Sequence, residues 1–287
     1  MHRIIARLDI KGPNLVKGIH LEGLRVLGKP EDFARYYYES GADELMYMDV
    51  VASLYERNSL KDIISRTARE IFIPLTVGGG IRSITDIREV LRAGADKVSL
   101  NTAIIRNPGL ITEASGIFGS STIVVAIEAI KSPDGNYYAY VDNGRDATGV
   151  EVVSWAKRVE KLGAGEIVIT SVDKEGTGEG YDLELTKKVS SAVSVPVIAH
   201  GGAGKVSHVR EVIEAGGADA VAVASMFHYE TIRHISQSFT GAKEGNIEFL
   251  KKGKPFTPIH PASIDAVKKE LFSHHIPCRY CGNEAVE

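Results

Sequence analysis

The sequence predicts a (βα)8 TIM barrel of the α/β class, built from two similar half-barrels. Three observations carry this: eight short apolar runs of strand length, helical patterns between them, and an internal repeat. The runs fall at residues 4–10, 44–50, 73–77, 97–101, 123–128, 166–171, 195–199 and 219–224. Helical patterns occupy 30–39, 60–70, 84–93, 108–118, 149–162, 183–193 and 206–215, and a last one spans 262–272. Strands alternating with helices imply right-handed βαβ units and a parallel sheet, and eight units in a row imply closure.

The repeat divides the chain. GADEL at 41–45 returns as GAGEI at 163–167, and IPLTVGGG at 73–80 returns as VPVIAHGG at 195–202. REVLRAGAD at 88–96 returns as REVIEAGGAD at 210–219, with one added glycine late in the second copy. Several segments share one offset of 122 residues, which separates this pattern from chance likeness between two βα units. The expectation is a single barrel domain over 1–287, with an insertion at about 241–260 and a C-terminal tail at about 274–287.

Composition narrows the function. With 44% hydrophobic residues the chain can bury a large core, and its net charge of -3 gives no field for nucleic acid or an anionic membrane. The N-terminus, MHRIIARLD, breaks its apolar run with charge and reads as neither signal peptide nor membrane span, so a cytoplasmic protein is expected. The two cysteines, Cys278 and Cys281, both lie near the C-terminus and form no disulfide framework.

In such barrels the chemistry sits where strands end and their following loops begin. Asp9 and Glu128 each follow the apolar run that opens a half, and they are read as strand-end carboxylates at corresponding positions. Two carboxylates facing a cavity suit general acid–base work when burial raises one pKa and leaves the other group ionised. Glycine-rich turns at 78–83 and 201–205 follow corresponding strands, and the partner strands end in Asn101-Thr102 and Ser225. Backbone N–H groups freed by glycine approach phosphate closely, so each half offers one cradle, and a ligand with a phosphate at each end is expected. The loop GTGEG at 176–180 is either a cover for substrate or a plain surface loop.

These residues resemble one family closely. LDIK at 8–11, LVKG at 15–18, IPLTVGGGIRS at 73–83, ADKVSLNTA at 95–103, GAGEIVITS at 163–171, GYD at 180–182 and HGGAGK at 200–205 are similar to the cyclase subunit of imidazole glycerol phosphate synthase, the HisF family, from Arg3 to about Arg279. The resemblance implies a barrel that takes ammonia from a glutaminase (HisH-like) partner in a heterodimer. It implies conversion of a bis-phosphorylated ribulosyl substrate into imidazole glycerol phosphate and aminoimidazole carboxamide ribotide in histidine biosynthesis, with no cofactor. It further implies Asp9 and Glu128 as the catalytic pair, and Lys17, Asp49 and Asn101 at the mouth. It places the phosphates on Gly80, Asn101 and Thr102 in one half and on Gly176, Gly202, Ala224 and Ser225 in the other. Arg3, Glu44, Lys97 and Glu166 are then an ammonia gate at the opposite face, a set equally compatible with a salt-bridged plug.

Three features depart from that family. Its aspartate is Glu128 here, which lengthens the side chain by about 1.5 Å. The stretch at 241–260 is an added loop at the rim or a contact for a partner. The tail carries His274, His275, Cys278 and Cys281, a weak zinc candidate, against an expectation of no metal. These departures keep open a second reading, a HisF-like paralogue delivering ammonia to another substrate, such as sugar amidination in surface-glycan synthesis. A third reading, a non-catalytic barrel that only scaffolds a glutaminase, conflicts with the retained acids and cradles.

Overall fold

The computed structural model describes residues 1–51, 60–235 and 258–280. Its strands are β1 (Arg3–Lys11), β2 (Asn14–Ile19), β3 (Glu22–Gly28), β4 (Glu44–Asp49), β5 (Leu75–Gly78), β6 (Lys97–Leu100), β7 (Ile123–Lys131), β8 (Tyr137–Val141), β9 (Asp146–Glu151), β10 (Glu166–Ser171), β11 (Val197–His200) and β12 (Ala220–Val223). Eight of them close a parallel ring in the order β1-β4-β5-β6-β7-β10-β11-β12, with β12 returning to β1. The barrel and its two similar halves stand as the sequence predicts.

Helices form the outer layer because their apolar stripes need burial against the strands. The helix Ile84–Ala93 buries Ile87 and Val90, begins where Ser83 Oγ accepts from the Asp86 N–H, and ends at left-handed Gly94. Those start and stop signals are sharp, and its bounds match the expected ones. The outward-facing strand residues and the helices share one large core, while a second, smaller cluster fills the barrel interior with Ile5, Met46, Val124, Val168 and Ile198 among its members.

Two hairpins extend the ring, and the sequence reading passed over both. β2 and β3 fold back on β1, and β8 and β9 fold back on β7, so each half begins with the same three-stranded device. Two corrections follow. Asp9 and Glu128 do not end their strands, because β1 and β7 run on to Lys11 and Lys131 to pair with the hairpins. The helix expected from 149 begins at Val152 (Val152–Leu162), since residues up to Glu151 complete β9 and Glu151 then caps the helix by accepting from the N–H groups of Val153 and Ser154.

The chain is tied shut behind the barrel. Lys268, on the helix Ile264–Ser273, is buried and donates to Gly41 O and Asp43 Oδ1 at 2.7 Å each and to Arg279 O at 2.9 Å. Most of the expected insertion lies outside the described residues; where the chain resumes, Ile259 is buried and the His260 N–H donates to Gly204 O at 2.8 Å. Among the described residues no helix is long and apolar enough to cross a membrane.

Candidate active site

The strand register fixes the relation between the two carboxylates. Ile5 pairs with Glu44 and Asp9 with Met48, while Val124 pairs with Glu166 and Glu128 with Thr170. Each acid thus stands four residues above the level of a corresponding glutamate, so Asp9 and Glu128 are equivalent in the two halves even though their own offset is 119 rather than 122. The second half has three more residues in the turn after its first strand, 132–136 between β7 and β8 against 12–13 between β1 and β2, which explains why the match at the start of each half is loose in sequence.

Equivalent places hold different surroundings. Asp9 is buried; it accepts from Arg7 Nε at 2.9 Å and lies 3.7 Å from Lys17 Nζ. Burial pushes its carboxyl up, but Arg7 and Lys17 outweigh this and hold it well below the usual carboxylate range. Lys17, also buried, is ion-paired to Glu175 as well. Arg7, Asp9, Lys17 and Glu175 are two cations and two anions, so the cluster is neutral and every charge has a partner. Below it, His200 Nδ1 lies 3.1 Å from Arg7 Nη1 and 3.2 Å from Thr170 Oγ1, and burial followed by the Arg7 charge keeps this imidazole uncharged.

Glu128 faces a cavity of about 300 Å3. Surrounding protein strips water from it and pushes its pKa up to about 7; opposing this, its Oε2 accepts from the Gly144 N–H at 2.7 Å, Arg7 is near, and Asn101 hydrogen-bonds it. The two acids therefore divide as acid–base chemistry requires, one fixed as an anion and one able to exchange a proton near neutrality.

The structure gathers the first cradle in that cavity. Gly80, Asn101, Thr102 and Asp49 line it with Glu128, as do Arg82 and Arg106, two cations the sequence reading did not single out. Thr102 Oγ1 also accepts from the Asp142 N–H at 3.3 Å. The second set, Gly176, Gly202, Ala224 and Ser225, comes together around a separate space of only about 10 Å3, room for one water and not for a phosphate. Gly202 is left-handed at φ 109°, and a side chain there would collide with the Gly180 carbonyl.

At the other end of the barrel the four expected gate residues form a closed ring. Arg3 pairs with Glu44 and, at 3.1 Å, with Glu166; Lys97 reaches Glu44 at 3.2 Å and Glu166 at 2.9 Å. The tail residues do not converge: Cys278 Sγ points to Lys268 O at 3.7 Å, and Cys281 lies outside the described residues. Among the described residues no group of three or more His, Cys, Asp or Glu is placed to hold a metal.

The sequence reading missed Arg7, Glu175 and the Asp142–Gly144 turn. Arg7 had a signal, a cation two residues before Asp9 and so on the same face of the strand. Glu175 and the turn act across sequence distances that no local pattern reveals.

A polar mouth over an apolar barrel interior and a charged ring define a half-barrel-repeat (βα)8 enzyme. Comparison makes this specific. Residues 3–233 match the family model described as histidine biosynthesis protein. The chain is 60% identical over 203 residues to "Imidazole glycerol phosphate synthase subunit HisF" of Legionella pneumophila, covering 71% of this chain and 96% of the relative. It is 45% identical over 285 residues to the protein of that name from Lactococcus lactis subsp. cremoris (99% and 98% covered), and 50% identical over 256 residues to that of Methanocaldococcus jannaschii (82% and 94%). The chain belongs to the HisF family of histidine biosynthesis proteins.

Proposed function

We infer that the chain is the cyclase subunit of imidazole glycerol phosphate synthase and acts in histidine biosynthesis. The names of its relatives favour this over the surface-glycan reading. The observation that carries the mechanism is the pair of register-equivalent carboxylates in unlike surroundings, Asp9 between Arg7 and Lys17, which lower its pKa, and Glu128 in a site whose burial raises its pKa.

Addition of ammonia to a carbonyl needs a proton given to oxygen and one taken from nitrogen. Glu128, with a pKa near neutrality, supplies and recovers the proton. Asp9, whose ionised form Arg7 and Lys17 favour, stabilises the cationic nitrogen that develops, and becomes the better base whenever Lys17 is drawn away from it. One phosphate of the bis-phosphorylated ribulosyl substrate lies among Gly80, Asn101 and Thr102, and the other among Gly176, Gly202, Ala224 and Ser225 once that cradle widens. The pocket of about 300 Å3 takes only part of such a ligand, in keeping with a second cradle that opens on binding. No cofactor enters this scheme.

Ammonia comes from a glutaminase subunit docked at the opposite face, through the ring of Arg3, Glu44, Lys97 and Glu166. Met1, Phe72, Ile117 and Phe272 support this reading: all are exposed apolar side chains, and all lie on segments at the N-terminal end of the barrel. The protein is expected in the cytoplasm, where small phosphorylated metabolites are made.

Purified chain supplied with ammonium salt and the bis-phosphorylated ribulosyl substrate should release imidazole glycerol phosphate. A folded protein that neither binds nor turns over that substrate would overturn the reading.

A further inference from the structure

The two hairpins share their tips. His20 and Leu21 join β2 to β3 with φ of 51° and 62°; Asp142 and Asn143 stand between β8 and β9 with φ of 52° and 63°. These pairs are separated by 122 residues, the offset of the internal repeat; the first forms a two-residue turn with both residues left-handed, and the second opens a four-residue loop, 142–145, whose first three residues are left-handed. The tips also meet: Asn143 Nδ2 donates to the Leu21 carbonyl at 2.8 Å.

Each tip holds one side of the candidate site. From the first, the Leu21 N–H donates to Glu175 Oε2 and the His20 N–H to the Glu175 carbonyl, both at 2.9 Å, and Glu175 holds Lys17 beside Asp9. From the second, the Gly144 N–H donates to Glu128 Oε2 at 2.7 Å. Asn143 joins these two sets of bonds by a hydrogen bond, beside an exposed Arg145–Glu22 ion pair at 4.0 Å between the same tips. We propose that Asn143 is a positioning residue that latches the second hairpin to the first, so that Glu128 is held in its working place only while the first hairpin, which carries Lys17, is closed over Asp9. This rests on the catalytic role given to Glu128 above.

The latch also accounts for glutamate where the family has aspartate. The longer side chain reaches the Gly144 N–H, and the turn that carries this N–H packs against Val172 and Leu21, where a Cβ on Gly144 would come within 3.2 Å of Val172. The charged groups facing Glu128 are Arg7 from β1 and Asp142 from the hairpin tip, and Asp49, Arg82 and Arg106 line the same cavity; Asn143→Gly changes none of them.

Asn143→Gly in the full chain removes the amide and keeps a residue suited to positive φ. Three readouts follow: amide hydrogen exchange at Leu21 and Gly144, the carboxyl titration of Glu128 by 13C NMR, assigned with Glu128→Gln, and ammonium-driven kinetics. Both amides should exchange about tenfold faster or more, the Glu128 titration should move upward by roughly one pH unit as its donor leaves, and kcat should fall roughly tenfold with KM little changed. Faster exchange at Leu21 alone, with Gly144 and Glu128 unmoved, would overturn the latch. A moved Glu128 titration with unchanged kcat would keep the latch and reject instead the catalytic role of Glu128. Should Asn143→Gly fail to fold, Asn143→Asp, which sets a carboxylate against the Leu21 carbonyl, is read by the same measurements.

Discussion

Asp9 and Glu128 occupy the same height on β1 and β7, yet Asp9 is held as an anion by Arg7 and Lys17 while Glu128 titrates near neutrality. The repeat supplies two equivalent carboxylates; the difference arises from what each half adds around its own. Arg7 and Lys17 come from the first half alone. Their places in the second half, by the offset of β1 to β7 and by the repeat offset, are Ala126 and Ala139, neither of which carries a charge.

Asp9→Asn should remove turnover by a factor on the order of 10² to 10⁴ while leaving substrate affinity within a few-fold. Asparagine keeps the shape and removes the anion. Steady-state kinetics with ammonium, beside calorimetric binding of the substrate, distinguish the two quantities, and an unchanged kcat would exclude the assigned role.

Glu128→Gln should make the protein more stable at pH 8 and not at pH 4. A free glutamate titrates at 4.5, whereas Glu128 is pushed up to about 7. Between these values the folded state holds a proton that the unfolded chain has released, so this group's contribution is fully present below about 4.5 and is lost as pH rises through about 7. Glutamine has no charge to bury, and the gain at pH 8 should be about 1–3 kcal/mol. Urea unfolding at both pH values measures it; a gap independent of pH would show that Glu128 is not held protonated.

The barrel, its closure and its two halves were legible in the sequence because strand-length apolar runs, helix caps such as Ser83 and Gly94, and a constant offset are local or additive signals. The placing of Asp9 and Glu128 at equivalent heights, and of the glycine turns after corresponding strands, was legible for the same reason. The hairpins were not: β3 reads EGLRVLG and β9 reads DATGVE, mostly polar or glycine-containing stretches with little apolar alternation. Glu175 was not legible as the partner of Lys17, since 158 residues separate them and only the closed mouth unites them. The protonation states were likewise out of reach, because burial decides them.

Glu128→Asp should lower kcat about tenfold or more, even though it restores the residue typical of the family. The shortened side chain draws the carboxylate back by about 1.5 Å, beyond reach of the Gly144 N–H that now lies 2.7 Å away, and displacement of a catalytic group by about 1 Å can cost on the order of 100-fold. Kinetics with ammonium decide it; equal or faster turnover would show that the pocket still fits aspartate.

Arg3→Gln tests the ring at the far face. Arg3 and Lys97 each bridge Glu44 and Glu166, so removing Arg3 leaves two carboxylates to one lysine. The ring lies away from the mouth, with the apolar interior of Ile5, Met46 and Val168 between them. Turnover driven by added ammonium should therefore stay within about threefold of the parent, because ammonia from solution reaches the mouth directly. Turnover driven by glutamine through a bound glutaminase should fall roughly tenfold, since the path through the ring is altered. The fold should lose about 1–2 kcal/mol, a buried-pair cost reduced because Arg3 is partly exposed. If both activities fall together, the ring is a structural plug; if glutamine-driven turnover alone falls, ammonia passes between these four side chains.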